Sequence, residues 1–96
     1  MARKFDFHTD AGHGWLKVHV QDLADIALTV ADFTPYSYRA GAWLYLEEDV
    51  DAGTFISQWE AKRGEFSCRQ VDDGYNSWIR NLDRLPAGAS FDDITF

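Results

Sequence analysis

Hydrophobic and polar positions alternate at the start of the chain. In "RKFDFHT" (3–9), Phe5 and Phe7 fall on one side and Asp6 on the other, the period of a half-buried strand. "DAGHG" is a glycine-rich turn. "WLKVHV" (15–20) alternates again, with Leu16, Val18 and Val20 opposing Trp15, Lys17 and His19. The two segments read as a hairpin. The period then changes. Leu23, Ile26, Ala27 and Val30 recur at i, i+3, i+4 and i+7, a helical stripe that Asp22 can cap or support in its first turn.

A second hairpin spans 34–48. Tyr36 and Tyr38 precede the turn "RAGA", where Gly41 supplies the positive φ that tight turns favour. Leu44 and Leu46 follow, facing away from Trp43 and Tyr45. Both faces of this strand are bulky, so one should meet the core and the other be partly covered or adhesive. Ala52, Phe55, Ile56 and Trp59 mark the clearest helix, with Lys62–Arg63 near its end and Gly64 as a natural stop. "EFSCRQV" (65–71) alternates as a last strand, with Phe66 and Cys68 on one side. Trp78, Ile79 and Leu82 suggest one helical turn, and 86–96 reads as a tail with Phe91 and Phe96 suited to dock it.

The order is therefore β-β-α-β-β-α-β. It predicts a single α+β domain over 1–96, with about five antiparallel strands and two helices on one face. Ninety-six residues leave no room for a second core. Fifteen aromatic residues compensate, because each can bury roughly 150–250 Å². The lone Cys68 reads as a small core residue and forms no internal disulfide, which fits a reducing cytoplasm. No apolar run approaches the ~18 residues of a membrane span, and the N-terminus lacks a signal-peptide core.

Charge sharpens the functional reading. The net charge is −7. Residues 1–46 carry five acids and four bases, whereas 47–96 carry eleven acids and five bases. Direct nucleic-acid binding is disfavoured, since phosphate contacts need Lys and Arg patches. The excess of acid suits either solubility or a basic partner.

"EEDVDAG" (47–53) concentrates that charge. Asp49, Asp51 and Glu60 match three positions of a calcium loop. However, Gly53 offers no side-chain ligand, Thr54 replaces the turn glycine, and the loop would unwind the clearest helix. No metal or cofactor is expected there. Asp49 or Asp51 instead suits the helix N-cap. Glu47 and Glu48, at the end of the preceding strand, have no local structural task. They read with Asp49, Asp51, Asp72 and Asp73 as a partner-binding acidic face, which Asp92 and Asp93 would extend. Tyr36, Tyr38, Trp43 and Tyr45 form an alternative, aromatic contact surface. A third possibility gathers His8, Asp10 and His13 around a metal, but no Cys pair or His–Glu helix motif accompanies them. No phosphate loop, nucleophile elbow or other catalytic signature is present, so a non-enzymatic role is expected.

The segments "DAGHGWLKV", "YSYRAGAWLYLEEDVDAGTF" and "SWIR" resemble those of small proteins encoded by phages, prophages and plasmids. The likeness runs with gaps over residues 6–80, and "GHGWL" and "YLEED-DA-F" are its most specific pieces. The set offers no catalytic residues to carry over. Small acidic proteins of such genomes include anti-CRISPR inhibitors, many of which occupy a basic channel of a Cas effector. By this analogy of size, charge and genome context, the resemblance implies a bacterial-cytoplasmic inhibitor. Its acidic face would imitate a phosphate backbone and block target DNA recognition.

Overall fold

The computed structural model describes residues 3–85. β1 (Lys4–Thr9) and β2 (Gly14–His19) form the expected antiparallel hairpin, with Phe7 opposite Leu16 and His8 opposite Trp15. β3 (Tyr38–Ala40) and β4 (Trp43–Glu47) form the second, turning at Gly41 with φ +61°. This hairpin is shorter than the sequence suggests, because residues 34–37 turn before β3 begins. β4 pairs with β2, which joins the two hairpins into one sheet.

The first helix is also shorter than its stripe. α1 covers only Val20–Ala24, capped by His19, whose side chain accepts from the Gln21 N–H. Asp22 completes a capping box by accepting from the His19 N–H at 2.9 Å, and it also binds Arg3 at 2.9 Å. Ala27 then takes φ +61°, a left-handed conformation that ends the helix. Leu23 and Ile26 are nevertheless buried as the stripe predicts. Val30–Asp32 forms a separate 3-10 turn.

α2 (Asp51–Arg63) has the expected register, burying Ala52, Phe55 and Trp59, and it stops at Gly64 with φ +98°. β5 (Ser67–Asp72) follows. It pairs with β1 in parallel, Phe5 beside Cys68 and Thr9 beside Asp72, so the sheet is mixed and not wholly antiparallel. The cause is the helical crossover. A strand that re-enters a sheet after a helix can run the same way as the strand before it. β4 is already parallel to β1 through two antiparallel steps, so β5 matches both. The second departure is a sixth strand, β6 (Asp83–Arg84), which pairs with β3 after a 3-10 turn at Trp78–Asn81. The sheet order is β5-β1-β2-β4-β3-β6.

Alternation divides the side chains into two layers. Phe5, Leu16, Val18, Leu44 and Leu46 meet Leu23 and Ile26, together with Ala52, Phe55 and Trp59 of α2, in the main core. Trp15, Tyr38 and Tyr45 point to the opposite face, where Ile79 of the second 3-10 turn covers them. The bulky outer face of β4 is therefore mostly closed. Cys68 is not in the core as expected. It is exposed on β5, an edge strand of the sheet, although it sits beside core-facing Phe5. Phe91 and Phe96, with Asp92 and Asp93, lie outside the described residues.

Gly14, in the "GHGWL" segment, has a packing role. A Cβ at this buried position would stand 2.6 Å and 2.7 Å from the Phe7 ring. Gly14→Ala is expected to destabilise the fold by about 1–3 kcal/mol through overpacking. Phe7→Leu in the same chain should restore part of the loss. Urea unfolding of the three variants measures this, and an unchanged midpoint for Gly14→Ala would show that the ring moves freely aside.

Candidate functional site

The acidic stretch divides differently from its sequence reading. Glu47 carries a structural task after all: its carboxylate accepts from three successive backbone N–H groups, those of Asp49 (2.8 Å), Val50 (2.6 Å) and Asp51 (3.0 Å). It thereby satisfies N–H groups that the start of α2 would otherwise leave unpaired. Neither Asp49 nor Asp51 is the N-cap; that position falls to Val50. Asp51 is 1% exposed and cannot face a partner. Its Oδ2 accepts from the Thr34 N–H (2.9 Å), Thr34 Oγ1 (2.8 Å) and Ser37 Oγ (2.5 Å). Ser37 Oγ in turn accepts from the Glu47 N–H at 2.9 Å, so one network ties the 34–37 turn to β4 and α2.

Three acids of the predicted face remain outward. Glu48 and Asp49 are exposed beside β4, and Asp72 is exposed at the end of β5. They lie at the same end of the sheet. Asp72 neighbours Thr9, Thr9 neighbours Gly14, and the Glu48 N–H donates to the Gly14 carbonyl at 3.1 Å. With strands ~4.8 Å apart, Asp72 and Glu48 stand about 14 Å from each other across this edge. Asp73, the sixth predicted residue, turns inward: both its oxygens lie 3.0–3.1 Å from His8 Nδ1, and Ser77 Oγ donates to it at 2.7 Å.

The histidines do not converge. His8 is buried against Asp73, Tyr45 and Trp78. Asp10 instead accepts from Arg80 Nε (2.7 Å) and Nη2 (3.0 Å) and from the Gly12, His13 and Ser77 N–H groups. His13 is exposed, 3.8 Å from Glu48. Among the described residues, no group of three or more His, Cys, Asp or Glu side chains is arranged to hold a metal ion. In the Ser77–Asp73–His8 chain the carboxylate stands between hydroxyl and imidazole, so His8 cannot take the serine proton through this contact. Burial first, and the Asp73 carboxylate second, raise the Tyr45 hydroxyl above its ordinary pKa.

The aromatic set is also split. Tyr38 and Tyr45 are buried beneath Ile79. Trp43 sits across from His19, at the opposite end of β4 from the acids, with the Lys17 ammonium 4.4 Å from its ring centroid. Of the four, Tyr36 is the one both at the acidic end and largely open, 65% exposed. Val50 and Tyr75 are exposed there too; the Tyr75 carbonyl accepts from the Ala11 N–H in the β1–β2 turn.

Between these pieces lies a cleft of about 360 Å³. Trp15, Tyr36 and Tyr38 give it aromatic surfaces. Glu47 and Asp49 line it from the acidic loop, and Arg80 and Arg84 from the C-terminal turn and β6. The cleft thus brings together members of all three predicted sets, since His13 also reaches it. Arg80 and Arg84 were missed by sequence reasoning; "SWIRNLDR" shows basic residues after a turn but not the face they reach. Among the described residues, no helix is long and apolar enough to cross a membrane. Comparison with protein-family models, curated proteins and solved structures finds no match to this chain.

Proposed function

We propose that the protein is a non-enzymatic inhibitor that binds a basic, nucleic-acid-handling protein of a bacterial host, with a CRISPR effector as the expected target. One observation carries the reading: Glu48, Asp49 and Asp72 stand exposed at one end of the sheet while Glu47, Asp51 and Asp73 are tied inward. Carboxylates held at fixed spacings suit a surface built to grip phosphates, and such attraction speeds encounter. Exposed Tyr36, Val50 and Tyr75 beside them add apolar contact area. The resemblance of "GHGWL" and "YLEED-DA-F" to phage and plasmid proteins supplies the choice of target.

The test avoids Glu47, whose loss would disturb α2. Glu48→Lys with Asp72→Lys should lower the thermal midpoint only slightly, through loss of the exposed Gly74 N–H bond to Asp72, yet weaken partner capture roughly 10- to 100-fold, because like charges at an interface cost several kcal/mol. Capture should also fall steeply between low and physiological salt. The functional readout is plasmid transformation into a strain with active CRISPR interference. Wild-type protein should restore transformation and the double variant should not. Equal capture by both proteins, independent of salt, would transfer the role to an aromatic contact around Tyr36 and Tyr75.

A further inference from the structure

We infer that the cleft between the acidic loop and the C-terminal turn receives a single arginine side chain of the partner, an inference that rests on the binding role proposed above. Its volume of about 360 Å³ lies within the range of small-ligand sites. Tyr36 offers a largely exposed ring on one side, and Val50, half exposed, offers an apolar shoulder. Asp49 supplies the pairing carboxylate. Glu47 also lines the cleft, but its oxygens already accept three N–H groups; among the described residues nothing bonds the exposed Asp49 carboxylate, so Asp49 is the acid that meets a guest.

The two guanidiniums of the cleft do not make it an anion site. Asp10 binds Arg80 through two nitrogens, at 2.7 Å and 3.0 Å, which offsets its charge. Arg84 lies 4.9 Å over the Tyr38 ring and donates through Nη1 to the Pro35 carbonyl. A phosphate placed here would face Glu47 and Asp49. Arginine fits better than lysine, because a planar guanidinium can stack on Tyr36 and bond a carboxylate through two nitrogens at once. The partner's phosphate-gripping arginines are the guests this chemistry recognises.

A peptide probe tests the cleft without any host protein. N-acetyl-Gly-Arg-Gly-amide, titrated into the isotope-labelled full chain, should shift the NMR signals of the Trp15 indole, Tyr36 and Asp49 in a saturable way. The same peptide with citrulline replacing arginine should bind at least about fivefold more weakly, as should the arginine peptide with the Asp49→Asn variant. Equal binding of arginine and citrulline peptides, or no saturable shift at the cleft, would overturn the inference. Stronger binding of adenosine monophosphate at the same signals would overturn it too, by showing that the guanidiniums decide. Failures of the two proposals are separable. Saturable arginine binding without Glu48- and Asp72-dependent capture removes the proposed function and keeps the cleft, whereas the reverse pattern removes only the cleft.

Discussion

Asp51→Ala is expected to lower stability by about 3 kcal/mol, a large share of the 5–15 kcal/mol typical of small domains. For a domain of this size, each kcal/mol moves the thermal midpoint by roughly 4–8 °C, so a fall of about 12–24 °C should follow. The cost comes from the donors left behind. The Thr34 N–H, Thr34 Oγ1 and Ser37 Oγ all point at one carboxylate oxygen, and Ser37 is fully buried. Alanine removes their acceptor and admits little water in its place. It also removes a negative charge from the first turn of α2, where the helix dipole favours one. Asp51→Asn keeps an acceptor and loses the charge, so it should fall between wild type and Ala. Asp49→Ala, two residues away and exposed, should change stability by no more than about 0.5 kcal/mol. Differential scanning calorimetry of the three variants checks the ranking. A midpoint for Asp51→Ala within about 2 °C of wild type would mean that the network around Ser37 repairs itself.

The same carboxylate positions the cleft. Thr34 and Ser37 flank Tyr36, and Glu47 holds the backbone of Asp49 and Val50. Loss of Asp51 should therefore weaken arginine-peptide binding even at temperatures where the variant stays folded. This effect separates a role in shaping the site from one in stability alone.

Local pattern announced the elements here, and distant partners decided how they were used. α2 was legible because Ala52, Phe55 and Trp59 repeat along one face that a single core covers. The β1–β2 hairpin was legible because its turn and alternation lie within twenty residues. The β1–β5 pairing was not, since it joins strands some sixty residues apart and depends on where a crossover helix delivers the chain. Ala27 gave no warning either, because alanine is a strong helix former, yet here it takes the left-handed position between the Ala27 N–H bond to the Ala24 carbonyl and the Leu28 N–H bond to the Leu23 carbonyl that close the helix. The acidic stretch shows the same division. Charge density marked 47–51 as important, but which carboxylate turns inward depends on donors at Thr34 and Ser37. The cleft draws on four separate stretches, around 13–15, 36–38, 47–50 and 80–84, so no contiguous motif could have announced it.

Asp10 should dominate the acid sensitivity of the fold. Its carboxylate has no solvent-exposed surface and accepts five hydrogen bonds, and its pKa is held well below the ordinary aspartate range. The Arg80 guanidinium is the main cause; the Ser77, His13 and Gly12 N–H groups add to it, and burial opposes them. In the unfolded chain the same group titrates near pH 3.9. The folded state therefore binds fewer protons than the unfolded state below about pH 4. The stabilisation from Asp10 is complete above about pH 5 and is lost as pH falls through the acid range. Asp10→Asn should thus be clearly less stable than wild type at neutral pH, with the difference narrowing towards pH 2.5. Arg80→Gln should narrow in the same way, because it removes the largest cause of the shift. Asp6, also lowered chiefly by a hydrogen bond from an arginine, is a weaker case: its partner Arg69 is 67% exposed, and solvent screens the pair. Thermal midpoints of wild type, Asp10→Asn, Arg80→Gln and Asp6→Asn between about pH 2.5 and 7 measure this. A gap for Asp10→Asn that stays constant over the whole range would show that its value is geometric and independent of charge. Asp10 binds the β1–β2 turn to the Ser77–Arg80 segment, so the narrowing should be matched by an early loss of amide protection at Gly12, His13 and Ser77, each measured against its intrinsic exchange rate at the same pH, as acid loosens that joint first.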